Sequence, residues 1–305
     1  MMRTMLVPLD GSALSERALP VALDIARRTG GEVHLIRAHS PLAIVGATAE
    51  GIVTQDMLAA DDMLRQRAHD YVKEIAEKVG NEWGVRVVPH INDGSAAGLI
   101  TETADDIFAD LIVMTTHGAG RFAPGWLGSV ADGVIRHSHR PVLALPEHDA
   151  HDGAPFALRS IMVTLDGSDR SAAIIPAARD LALVFGASLA LVRVVAPYVP
   201  MDVVTTLTVG TPDPYGIDTE AAMAKRELDE LAASLEEKGL EVTSTVLLEL
   251  SPTRTLLDQV KQTDPDCIAI ATQGRGISRI FIGSVADKLI RTSGRPVLVL
   301  RPPKT

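Results

Sequence analysis

Two aspartates with one local context carry the first hint of chemistry. Asp10 lies in Leu9-Asp10-Gly11-Ser12 and Asp166 in Leu165-Asp166-Gly167-Ser168, each at the end of a short apolar run. Such a carboxylate can cap a helix, since Asp and Ser both favour that place. It can equally face a ligand, accept a hydrogen bond from ribose or a base, or hold a metal-bound water. Further along, Thr115-Thr116-His117-Gly118 is followed by nine residues and then by Gly128-Ser129-Val130. The matching stretch is Gly274, eight residues, and Gly283-Ser284-Val285. Each Gly-Ser opens a helical pattern. A helix N-terminus offers unpaired N–H groups and the positive end of a dipole, so it accepts phosphate. A turn and an N-cap are the plainer reading of one such pair. Its recurrence after the same strand in both halves favours anion binding.

These elements belong to a duplication. Met5–Ser12 aligns with Ile161–Ser168, Pro20 with Pro176, and Arg37 with Arg193, all at an offset of 156. Gly128–Asp132 aligns with Gly283–Asp287, and Arg140–Leu143 with Arg295–Leu298, at 155. A period this long means duplicated domains rather than a solenoid. The expected division is residues 1–147, a polar linker at 148–157, and residues 158–305.

Each copy alternates strands with helices. In the first, strands are expected near Thr4–Pro8, Val33–Ala38, Val85–His90, Asp110–Thr115 and Pro141–Leu145. Helices are expected over Ser12–Thr29, Asp56–Val79, Ser95–Ile107 and Ser129–His137. The second copy repeats the pattern, with a long helix over Thr219–Lys238. This order implies right-handed crossovers and a parallel sheet covered on both faces. Ligands bind such sheets beyond the carboxyl ends of the strands, where the strand order reverses. Asp10 and Gly118 stand there.

Composition narrows the classes. Of 305 residues 46% are hydrophobic and only 3% aromatic, which suits aliphatic helices on buried parallel strands. The formal net charge of -10 disfavours nucleic acid and anionic lipid as general partners. No apolar run approaches the ~18 residues of a membrane span. The single cysteine, Cys267, reads as inert core in a reducing compartment, and the cytoplasm is the expected location. No Gly-x-x-x-x-Gly-Lys-Ser/Thr loop is present, so a P-loop ATPase is not expected. His137, His139, His148 and His151 lack the paired spacing of a metal site. His117 adjoins Gly118, but its counterpart is Gln273, which argues against a base shared by both copies.

The chain resembles the universal stress proteins in tandem form. The resemblance rests on Leu9-Asp-Gly-Ser12, Asp110-Leu-Ile-Val-Met-Thr-Thr-His-Gly118, Leu127-Gly-Ser-Val-Ala-Asp132 and Arg140-Pro-Val-Leu143. It implies, in each half, a doubly wound α/β fold of the adenine-nucleotide alpha-hydrolase type: a five-stranded parallel sheet of order 3-2-1-4-5. It also implies bound ATP, with or without Mg2+. Carried onto this sequence, Pro8, Asp10, Ala38 and Met114 would border the adenosine. Gly118, Gly128, Ser129 and Val130 would border the phosphates, with Thr115 and His117 beside them. The matching set in the second copy is Asp166, Val194, Ile270, Gly274, Gly283, Ser284 and Val285.

The family's first glycine is Thr115 here and Ala271 in the second copy, Thr164 replaces Pro8, and the second loop is one residue shorter. The first site is therefore the firmer expectation. Three roles follow: a regulatory protein whose ATP occupancy a partner reads, a slow ATP hydrolase or phosphotransferase, or a scaffold with relic loops. The segments Ser40–Gln55 and Pro197–Ile217 would close over the sites. The resemblance further implies that the strand-five edges pair within the chain as a pseudo-dimer, and it leaves room for a homodimer.

Overall fold

A computed structural model describes residues 2–41, 54–118, 127–147, 156–196, 214–272 and 282–302. The chain forms two compact units. The first holds Met1–Phe156 together with Gly294–Thr305, and the second holds Ala157–Ser293.

In the first unit the order is β1 (Thr4–Pro8), α1 (Ala13–Glu16), α2 (Ala18–Thr29), β2 (Glu32–His39), α3 (Gln55–Trp83), β3 (Arg86–Asp93), α4 (Ala96–Asp106), β4 (Leu111–Thr115), α5 (Ser129–His137) and β5 (Val142–Leu145). The parallel sheet runs β3-β2-β1-β4-β5. β4 is buried at every position and β1 through its middle three residues, which explains their unbroken aliphatic sequences. The order reverses at β1, whose neighbours are β2 and β4, so a crevice opens beyond the ends of β1 and β4.

The second unit contains β6 (Ser160–Leu165), α6 (Asp169–Ala172), α7 (Ile175–Phe185), β7 (Ser188–Val195), α8 (Pro214–Glu236), β8 (Val242–Leu248), α9 (Pro252–Thr263), β9 (Cys267–Ala271) and α10 (Ser284–Thr292). Its strands run β8-β7-β6-β9, all parallel. Cys267 starts β9 fully buried. The strand β10 (Val297–Leu300) lies in the first unit, antiparallel to β5, with Val297 opposite Ala144 and Val299 opposite Val142.

Local chemistry accounts for two departures from the sequence reading. The helix expected over Ser12–Thr29 is divided after Glu16 into α1 and α2. Pro20 has no N–H to give the Glu16 carbonyl, and its ring crowds that oxygen. Pro176 divides the second copy at the same place, after Ala172. The helix expected to stop at Gly80 runs on to Trp83 and ends at Gly84, whose φ of 63° terminates it in the left-handed region.

Side chains alternate across β2. Ile36 and Ala38 share a face with Ala96 and Ile100 of α4. Arg37 and His39 turn the other way, towards Tyr71 and Asp61 of α3.

Candidate functional site

The turn after β1 is built by side chains. The Ser12 N–H and hydroxyl both donate to Asp10 Oδ1, at 2.9 and 2.6 Å. Ser12 Oγ in turn accepts the Ser15 N–H at 3.1 Å and caps α1. The buried Ser15 hydroxyl donates to the Ser12 carbonyl at 2.9 Å and accepts the Asp10 N–H at 3.3 Å. The cap is thus the serine, and the aspartate organises the turn that presents it. The second unit repeats this arrangement. Asp166 Oδ1 accepts Ser168 N–H and Oγ–H at 2.9 and 2.6 Å, and Ser171 plays the part of Ser15.

The turn after β4 meets it. Thr116 carbonyl accepts the Gly128 N–H at 2.8 Å, closing the two ends of the 117–127 segment on one another. A Cβ at 128 would lie 3.0 Å from that carbonyl, so glycine permits the closure. Gly283 N–H reaches the Thr272 carbonyl at 2.7 Å in the same way. At Gly118, a Cβ would collide with Asp10 Oδ2. Neither Gly128 nor Gly283 has a side chain to cap its helix. The first-turn N–H groups of α5 and α10 are therefore left for solvent or an anion.

A cavity of about 260 Å³ lies at this junction. On its apolar side it is lined by Pro8, Ile36, Ala38, Ile100 and Met114, and on its polar side by Asp10, Thr115, His117, Gly118, Gly128, Ser129 and Val130. All ten residues singled out in the first copy thus border one space. Ser15, Ile36, Ala96 and Ile100 border it too and were not singled out. Ile36 stands two residues before Ala38 on the same strand face, and that period of two was the available signal. The volume is near the ~300 Å³ at the small end of ligand sites.

Thr115 fits where the family pattern has glycine. Its hydroxyl donates to the His117 carbonyl at 2.6 Å. Among the described non-glycine residues only Phe108 and Asp264 have positive φ, so the threonine backbone is unstrained. His117 Nδ1 shares a 3.1 Å hydrogen bond with Thr116 Oγ1. Its Nε2 is buried and, among the described residues, has no partner.

In the second unit Asp166 follows β6, Val194 lies on β7, Ile270 on β9, and Gly283-Ser284-Val285 opens α10. Thr164, in the place of Pro8, is buried and donates to the Ala269 carbonyl at 3.4 Å. Gly274 and Gln273 lie outside the described residues, as do most of the two segments expected to close over the sites. Among the described residues no group of three His, Cys, Asp or Glu side chains could hold a metal ion, and no helix is long and apolar enough to cross a membrane.

Comparison with known proteins matches this chain to one family twice. The family model for universal stress proteins covers residues 1–146 and again 157–301. A universal stress protein of Methanocaldococcus jannaschii is 34% identical over 143 residues, 47% of this chain and 81% of its own length. One from Mycobacterium tuberculosis is 27% identical over 272 residues, 86% of each chain. Among solved structures, a universal stress protein from Archaeoglobus fulgidus superposes with a TM-score of 0.68 at 20% identity, covering 99% of this chain and 97% of its own. That likeness concerns the fold.

Proposed function

The chain belongs to the universal stress protein family, and from that premise we propose that its first unit binds ATP and that occupancy sets a conformation which a partner protein reads. One observation carries the reading. The Asp10 carboxylate, the Gly118 backbone and the uncapped start of α5 converge on one cavity at the point where strand order reverses. Pro8, Ala38 and Met114 supply an apolar wall for adenine. Asp10 accepts from the ribose. The N–H groups of Ser129 and Val130, with the Ser129 hydroxyl, receive the phosphates, and Gly118 and Gly128 border them. Mg2+ would travel with those phosphates, because it commonly takes one or two protein carboxylates and substrate oxygens; Asp10 is the carboxylate lining this cavity.

Asp166, Gly283 and Ser284 repeat the local geometry, and we assign them, with Val194, Ile270, Gly274 and Val285, to a second nucleotide site. The functional division is taken as residues 1–147 and 158–305 joined by a linker, in a cytoplasmic protein able to form a homodimer.

A slow hydrolase is the second reading. His117 favours it, since its ring lines the cavity and its buried Nε2, without a partner among the described residues, would serve as a base for a water admitted with the nucleotide. Mass spectrometry of nucleotide released from purified protein, with calorimetric titration of ATP, tests the main reading. Absence of adenine nucleotide and of binding at millimolar ATP would leave the scaffold role. Turnover that survives repurification and falls on His117→Gln would favour the hydrolase.

A further inference from the structure

Beneath each Asp-Gly-Ser turn lies a guanidinium. Gly11 and Gly167 have φ of 86° and 79°. In each, the place a Cβ would occupy is taken by an arginine from the next strand: Nη1 of Arg37 or of Arg193 would lie 2.7 Å from it. The planar group fills the space under the turn that a side chain would otherwise need.

The charge on each arginine is answered differently. Arg193 is buried and pairs with Glu227 of α8 at 2.5 Å. Arg37 is half-buried and lies over the ring of Tyr71 on α3, 4.9 Å from its centroid. The Tyr71 hydroxyl donates to Glu16 Oε1 on α1 at 2.7 Å. Burial, then the Glu16 carboxylate, push the Tyr71 pKa up, which keeps the phenol a donor. The repeat offset places Tyr71 opposite Glu227 and Glu16 opposite Ala172. Glutamate and tyrosine in one copy have therefore become alanine and glutamate in the other. Both arrangements keep one carboxylate in the cluster around an unchanged arginine, glycine, aspartate and serine. A charge withdrawn from water is costly unless paired, and an apolar side chain would fill the same space without that cost.

We propose that Arg37 and Arg193 are positioning residues for Asp10 and Asp166: each guanidinium, held by its own carboxylate system on the neighbouring helices, supports the left-handed glycine and so fixes the aspartate's turn, which in the first unit aims Asp10 at the cavity. For the first unit this rests on the reading of that cavity as a nucleotide site. The same contact ties the long helix to the turn.

Two measurements on the full chain separate the two claims. Hydrogen exchange of the apo protein over residues 8–16 reads the turn, and calorimetry with ATP as the probe reads the site. Arg37→Met should speed exchange over that segment about tenfold, with the strands unchanged, and weaken ATP binding about tenfold. The affinity loss should vanish in an Asp10→Asn background, because coupled residues are not additive. The double change Glu16→Ala with Tyr71→Glu writes the second copy's arrangement into the first and should keep exchange within about twofold of the parent. Glu16→Ala with Tyr71→Ala should not. Unchanged exchange in Arg37→Met, an equal affinity loss in both backgrounds, or equal loosening by the two double changes would overturn the proposal. If the parent chain fails to bind ATP, the nucleotide reading falls, and exchange alone still decides the positioning role.

Discussion

Asp10 Oδ2 stands in the space that a Cβ on residue 118 would need. The carboxylate ending β1 and the glycine following β4 are 108 residues apart in sequence and in contact across the switch point. Gly118→Ala must therefore push Asp10 aside or move the loop backbone. The expected result is an ATP affinity lower by about tenfold or more, equivalent to ~1.4 kcal/mol, with the sheet intact. Titration calorimetry beside a thermal melt checks it, and an unchanged affinity would contradict the close approach.

The turns give a paired prediction. Asp10→Ala and Asp166→Ala each remove the acceptor of two serine hydrogen bonds. Each should destabilise by about 0.5–1.5 kcal/mol, since water can reach the serine donors left behind. Chemical denaturation measures this. Affinity separates them: Asp10→Ala should weaken nucleotide binding at the first cavity by about tenfold or more, and Asp166→Ala should leave that cavity's affinity unchanged.

Acid should weaken the first unit through a histidine pair. His34 Nδ1 and His90 Nε2 share a 2.7 Å hydrogen bond, while His34 Nε2 contacts Glu32 Oε1 at 3.1 Å and Arg86 contacts the same carboxylate at 2.8 Å. Burial, and then the neighbouring His34, hold the His90 pKa below its usual 6.5. Between 6.5 and that lowered value the unfolded chain is protonated at His90 and the native chain is not. Stability then falls as pH falls through this window. His90→Val, the residue found at the repeat position 246, should flatten the slope. Denaturant midpoints between about pH 7.5 and 5 test it, and an unaltered slope would count against the pair.

The same sign is expected at Asp266, in a more acidic window. Burial alone would raise its pKa, but the backbone N–H groups of Arg159 and Ser160, at 2.8 and 3.1 Å, together with the Arg159 side chain, lower it. Its stabilisation is present above the unfolded value near 3.9 and is lost as pH falls through the lower folded value. Asp266→Asn should cost about 1–3 kcal/mol at neutral pH, and less once the parent carboxylate is protonated. Denaturation at pH 7 and pH 3 compares the two.

Much of this architecture was legible beforehand for physical reasons. Buried parallel strands such as Leu111–Thr115 read as continuous aliphatic runs, and Gly-Ser at the start of α5 marks a helix N-terminus. Repetition at a fixed offset located the switch point twice. What sequence could not resolve was competition between two uses of one residue. Asp10 looked equally suited to capping, and only the Ser12 and Ser15 hydrogen bonds assign the cap to serine. Pro20 did signal the break, since a proline inside a helical pattern interrupts it, but the apolar period continues through the break and hides it. The stack of Arg37 on Tyr71 and the His34–His90 pair bring together residues on separate elements, and no local spacing announces them.

The pairing of β10 with β5 has a consequence for biosynthesis. The strand that covers the β5 edge is translated roughly 150 residues after it, a large loop to close before the contact forms. At ~5–20 residues per second, a nascent chain carries the bare Val142–Leu145 edge for roughly 8–30 seconds. During that interval a neighbouring chain on the same message could take the place of β10. Ribosome spacing and chaperone supply, more than the final stability of the sheet, would then govern how much of the product reaches its native pairing.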